Sequence, residues 1–185
     1  ADAQQMLDAV KAWVDAEDRA SEAVKGATAA LKFAAARTED RKPEATGTII
    51  FEAESGTLTA PMVKADASDV SGNSFVGTPE LNGQALASNA AGAGRAVYQF
   101  SVAQAGTYFV FAKVQGATTN ANAFNLRMDN GAFTVWNYAI TGNDWQWIRT
   151  TSGNNVAQSF ALTAGQHSLE IRQREDGARI DLIAV

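Results

Sequence analysis

The chain has 185 residues, with 15 Lys and Arg against 20 Asp and Glu, a net charge of −5, and no cysteine. That acidic balance offers no basic stripe for a phosphate backbone, and the missing thiols exclude disulfides and thiolate metal sites. No stretch reaches the roughly 18 apolar residues that cross a bilayer, and the length suits one compact domain plus an extension.

The extension comes first. Residues 4–37 are strong helix formers without proline, and Met6, Val10, Trp13, Ala20, Val24, Ala27, Leu31 and Ala34 recur at alternating spacings of four and three. Glu17 alone breaks this seam, while Leu7, Val14 and Phe33 widen it. The pattern predicts an amphipathic, alanine-rich α-helical segment over residues 1–40. Its apolar face wants a cover, so self-association or a partner helix through residues 4–37 is expected, as a weak coiled coil because alanine buries little area. Gly26 allows a break into two helices. Residues 41–47 are polar and carry Pro43, which ends the periodicity and marks a linker. The opening Ala1, Asp2 and Ala3 suit the remnant of a cleaved signal and a trimmed chain equally.

From residue 48 the pattern changes to short β-rich runs separated by Gly, Asn, Asp and Ser: 48–54, 96–102, 106–114, 123–128, 145–151, 155–162, 167–174 and 179–185. Many strands at such spacing predict a β-sandwich over residues 48–185. Residues 66–94 are rich in Gly, Ser, Asn and Ala and read as long exposed connections, where binding residues sit on a rigid scaffold. Trp136 and Tyr138 read as half-buried, with a second aromatic platform as the other option.

Four fragments stand in order along this part: Phe51-Glu52-Ala53-Glu54-Ser55, Gly142-Asn143-Asp144-Trp145-Gln146-Trp147, Leu162-Thr163-Ala164-Gly165-Gln166-His167 and Arg174-Glu175-Asp176-Gly177-Ala178-Arg179-Ile180-Asp181. Together they resemble carbohydrate-binding modules of families 6 and 35 across about three quarters of the chain. The resemblance implies a jelly-roll sandwich that binds sugar, holds a structural calcium and accompanies polysaccharide-degrading enzymes. It places the calcium ligands at Glu52, Glu54 and Asp181. Glu52 and Glu54, two apart in an expected strand, leave the same face, and a third carboxylate would complete a hard oxygen site for Ca²⁺. The open alternative is that both glutamates are solvated and Asp181 pairs with Arg172, Arg174 or Arg179.

A sugar presents apolar C–H faces and rings of hydroxyls, so its site needs an exposed aromatic plane with a few polar groups. The resemblance gives the stacking role to Trp145. Trp147 points the same way along an extended segment, and one of the pair is open to a core role. Phe75 occupies the stretch of a second aromatic wall, where burial is also open. The families commonly carry an asparagine just before the Ile-Asp of the last strand, and here Arg179 stands instead. A guanidinium pairs bidentately with a carboxylate, which raises a preference for acidic sugars such as uronates. The plain alternative is that Arg179 neutralises Glu175 or Asp176.

Catalysis is not expected. The single histidine, His167, starts a strand and leaves nucleophile pairs one candidate base at most. No Gly-x-Ser-x-Gly elbow or phosphate loop is present. The expected function is non-catalytic binding of a polysaccharide or oligosaccharide in an extracytoplasmic setting: secreted, periplasmic or at the cell surface. No nucleic acid and no membrane span are expected. The alternative from another class is a pilin-like surface subunit whose helix drives assembly and whose sandwich is a displayed head.

Overall fold

The structure, a computed structural model, describes residues 47–80, 86, 90–138, 142–152 and 156–185. The helical segment expected over 1–40, and the linker up to residue 46, lie outside these residues. What is described is mainly β. The strands are β1 Ile50–Glu52, β2 Thr57–Thr59, β3 Val63–Asp66, β4 Ser74–Gly77, β5 Arg95–Val102, β6 Gly106–Tyr108 and β7 Phe111–Gly116. They continue with β8 Ala123–Met128, β9 Thr134–Asn137, β10 Gly142–Arg149, β11 Phe160–Leu162, β12 Gly165–Gln173 and β13 Arg179–Ala184.

Two antiparallel sheets form a β-sandwich. One runs β10-β7-β13-β4-β3, with β1 also paired to β13, and the other runs β2-β5-β12-β8-β9. A small pair, β6 with β11, stands apart. Alternation explains which face is buried. Along β5, Ala96, Tyr98, Phe100 and Val102 face the core while Arg95, Gln99 and Ser101 are exposed. In β12, Leu169 and Ile171 do the same, and Ala112 and Val114 of β7, Val76 of β4 and Ile180 and Ile183 of β13 come from the opposite sheet. The apolar area removed from water between these layers, at about 25 cal/mol per Å², is the main driving term of the fold. Phe51 of β1 packs its ring against Tyr98 and Phe100 across the layers, at centroid distances of 5.2 and 6.3 Å.

Several expectations change in detail. The run 48–54 is not one strand, because β1 stops at Glu52 and Ala53–Ser55 make a single 3₁₀ turn. Ser55 Oγ donates to the Glu52 carbonyl at 2.7 Å, and Ala53 is fully buried beneath it. Glu52 and Glu54 therefore do not share a strand face by simple alternation. The run 106–114 divides at Phe109 and Val110, with β6 pairing to β11 and β7 entering the larger sheet. Residues 66–94 are not all exposed connection: β4 lies inside the sheet between β13 and β3, with Ser74, Val76 and Gly77 buried. Its small side chains make it look like a loop in composition, while its neighbours supply the apolar area. Trp136 and Tyr138 are not half-exposed platforms either. They are buried and pack with Phe124 at ring distances between 5.2 and 6.3 Å.

Candidate functional site

Two groups of polar side chains meet on β13, one at each side of Ile180. The first surrounds the 3₁₀ turn Ser71–Asn73. The Ser71 amide donates to Asp181 Oδ1 at 3.1 Å, Ser71 Oγ donates to Glu52 Oε1 at 2.7 Å, and Ser74 Oγ donates to Glu54 Oε1 at 2.5 Å. The other oxygen of each carboxylate, Glu52 Oε2, Glu54 Oε2 and Asp181 Oδ2, is buried and accepts no hydrogen bond. Asp181 reaches this position through a bulge, since the pairing of β13 with β7 slips between Ile180 and Leu182. Gly72 lets the turn lie against the carboxylates: its φ is +60°, and a Cβ there would stand 2.8 Å from Glu54 Oε1.

Burial pushes the Asp181 carboxyl upward and the charge of Glu52 adds to this, while the Ser71 amide and Lys113 pull the other way; the net direction is up. Lys113 Nζ stands 3.5 Å from Asp181 Oδ2. The expected arginine partners are engaged elsewhere, Arg172 with Glu170, Arg174 with the Leu86 carbonyl and Arg179 with Gln115. The set is open rather than closed: no three Asp, Glu, His or Cys groups among the described residues stand at metal-ligand spacing. Its chemistry still fits a hard cation, because Glu52 Oε2 and Glu54 Oε2 are buried without a donor, Asp181 Oδ2 has only the ammonium of Lys113, and unpaired buried charge is costly.

The second group is the aromatic cleft. Arg179 lies opposite Gly77 on β4 and Gln115 on β7. Because Gly77 has no side chain, Arg179 passes over it and its guanidinium carbon lies 5.2 Å from the centre of the Phe75 ring, a cation–π arrangement. Phe75 in turn meets Trp145, with ring centroids 5.7 Å apart and planes inclined by 57°. Arg179 Nη1 donates to Gln115 Oε1 at 2.8 Å, and Gln115 Nε2 donates to the Asn143 carbonyl at 2.5 Å. The same Gln115 thus holds the guanidinium and the start of β10 that presents Trp145. Phe75, Trp145 and Arg179 are each half-exposed, beside the exposed Asn143 and Asp144. Trp145 Nε1 is buried and has no acceptor.

The structure thus brings together Phe75, Trp145 and Arg179 as one group and Glu52, Glu54 and Asp181 as another. Trp147 pairs across to Lys113, and no ring contact joins it to Phe75 or Trp145 among the described residues. Arg179 is held by Gln115, and the Glu175 carboxylate accepts from the Asn122 amide at 2.8 Å. Sequence reasoning missed Gln115 and Lys113. Lys113 did carry a signal, as the one charge inside the apolar run 108–114, whereas nothing in the sequence marked Gln115.

No family model matches the sequence, and no curated protein matches it. Solved structures do match. A family 35 carbohydrate-binding module from Clostridium thermocellum superposes with a TM-score of 0.54 at 19% identity, over 73% of this chain and 96% of that one. The sandwich has the fold of family 35 carbohydrate-binding modules. A second structure of such a module from the same organism gives 0.54 at 10% identity, over 75% of this chain and 97% of that one. A GH26-CBM35 β-(1,4)-mannanase from Podospora anserina gives 0.57 at 20% identity over 75% of this chain. This chain spans only 27% of that mannanase. The family 35 fold is therefore matched both as a module by itself and as one part of a longer enzyme.

Proposed function

We propose that residues 48–185 are a non-catalytic carbohydrate-binding module that holds a polysaccharide or oligosaccharide in the cleft of Trp145, Phe75 and Arg179. The observation that carries this reading is the convergence of those three side chains, from β10, β4 and β13, around the brace made by Gln115. A half-exposed indole beside a phenyl ring offers an apolar wall to a sugar face, and the neighbouring loop offers polar groups to its hydroxyls. Arg179 directs the choice toward acidic sugars. One guanidinium N–H is used on Gln115, and the group retains further donors that match a uronate carboxylate. Trp147 lies opposite Lys113 on β7.

Structural Ca²⁺ belongs to the same reading. Glu52, Glu54 and Asp181 would hold it through the three oxygens that accept no hydrogen bond, and the ion supplies positive charge to a buried acidic cluster. Its role is to fasten β1, the Ser71–Asn73 turn and β13 to one another. A secreted, periplasmic or cell-surface location is part of the same reading.

The test is a glycan array run with calcium, in which neutral and uronate-containing polysaccharides stand side by side and Trp145→Ala is the control. Saturable binding to uronates that is lost in the variant is expected. Equal binding by wild type and variant, or silence from a folded protein, would overturn the reading.

A further inference from the structure

One charge near the carboxylate cluster has no part in the calcium reading so far, and the inference below rests on that reading. Lys113 sits on β7 between Ala112 and Val114, which are fully buried in the core, so its side chain leaves the opposite face of the sheet. Only 17% of that side chain is exposed, and Nζ lies 3.5 Å from Asp181 Oδ2. This is the same oxygen that accepts no hydrogen bond, on a residue with no exposure at all. Among the described residues Lys113 is the base paired with Asp181, while Arg127 and Arg172 are held by Glu170, Arg174 by the Leu86 carbonyl and Arg179 by Gln115.

We propose that Lys113 is the resident cation of the carboxylate site, neutralising Asp181 in the metal-free protein, giving way to a divalent ion, and thereby setting the affinity of the site for metal. The charge count fits. Three carboxylates and one ammonium leave the group two negative charges, and exchanging the ammonium for a divalent cation leaves one. The geometry makes the two cations rivals. A calcium ion bound to Asp181 Oδ2 would stand about 2.4 Å from that oxygen. That places it within roughly 6 Å of Nζ, where like charges repel by on the order of a few kcal/mol at a partly buried site. The four-carbon stem of lysine has room to retreat. Its cross-strand neighbours on the sheet face are Leu182 and Trp147, both half-buried, and an ammonium drawn off Asp181 can settle over the indole. An arginine would serve less well as a removable plug, because its planar fork would hold the carboxylate at two points.

The experiment is calcium titration calorimetry on the full chain for the wild type, Lys113→Met and Lys113→Arg, with thermal melts of each with and without calcium. Lys113→Met is expected to bind calcium on the order of tenfold more tightly than wild type. Lys113→Arg is expected to bind it no better than wild type. Without metal, Lys113→Met is expected to melt lower, and to gain more from saturating calcium than wild type does. A Lys113→Met protein that folds only when calcium is added gives the same answer. Calcium affinity equal in all three proteins, or tightened alike by Met and Arg, would overturn the role of Lys113 and leave the metal site standing. Three folded proteins that bind no calcium would remove the site and the inference together. A Lys113→Met protein that stays unfolded in saturating calcium would overturn the inference alone, since removing a rival cannot abolish the site.

Discussion

His167 Nδ1 lies 2.9 Å from Asp129 Oδ2, and its other ring nitrogen lies 2.8 Å from the carbonyl oxygen of Thr163. Both nitrogens face acceptors, and only the imidazolium donates from both. The Thr163 carbonyl and then Asp129 raise the His167 pKa above 6.5, although burial works against them. Asp129 is pushed upward by burial, but the bonds from His167 and the Ser168 amide outweigh this and leave it below 3.8. The raised base contributes stability that is complete below 6.5 and is lost as pH rises through its folded value. The lowered acid contributes stability that is complete above 3.8 and is lost as pH falls through its folded value. The melting temperature is therefore expected to decline on the alkaline side as His167 discharges. Melts from roughly pH 5 to pH 9 should show that decline in wild type and a flatter profile in His167→Gln. An identical profile in both would show that the pair contributes nothing.

Trp136 is fully buried between Phe124 and Tyr138. Truncation to alanine leaves a cavity beside the rings of Phe124 and Tyr138, and Trp136→Ala is expected to cost about 3–5 kcal/mol. Urea denaturation measures this. Preserved stability would mean that the indole is not a core residue.

Gly72 and Gly92 both have positive φ, +60° and +81°. A methyl group at Gly92 meets nothing within 4 Å, while at Gly72 it stands 2.8 Å from Glu54 Oε1. Gly92→Ala should therefore cost only the backbone strain, about 1 kcal/mol. Gly72→Ala should cost that plus displacement of Glu54, about 2 kcal/mol in all, and should weaken calcium binding as well. Equal melts for the two variants would separate the turn from the carboxylates.

Gln115 bonds Arg179 with one end of its amide and Asn143 with the other. Gln115→Ala removes both bonds without touching an aromatic ring. Binding of a uronate polysaccharide is expected to fall by about 1–2 kcal/mol, roughly five- to thirtyfold, with the fold intact by circular dichroism. Unchanged affinity would mean that Arg179 and Trp145 need no such brace.

Periodicity read the core strands well and the connections poorly. β8 was legible to the residue because Phe124, Leu126 and Met128 alternate with polar neighbours, and β13 was legible from Ile180 and Ile183. β4 was not, since Ser74, Gly77 and their surroundings have the composition of a loop and only its neighbours make it a strand. The sequence named Glu52, Glu54 and Asp181 as one group and Phe75, Trp145 and Arg179 as another, without the geometry that gathers each. Their partners Gln115 and Lys113 were not legible, because both depend on the pairing of β7 with β13, and pairings across such distances leave no mark in local sequence.

That pairing has a consequence for how the protein is made. β13 bonds to β7 along one edge and shares its other edge between β1 and β4, so three strands that emerge early wait for Arg179–Ala184. Until that segment has left the ribosome, β1 has no strand to join and β7 has only β10, so their apolar faces are open to other chains. Assembly then depends on contacts between residues far apart in sequence, which slows folding and lengthens the interval of exposure. The strand that carries both candidate sites is also the one that completes the sheet, so a chain released before it arrives would lack the sites and the fold alike.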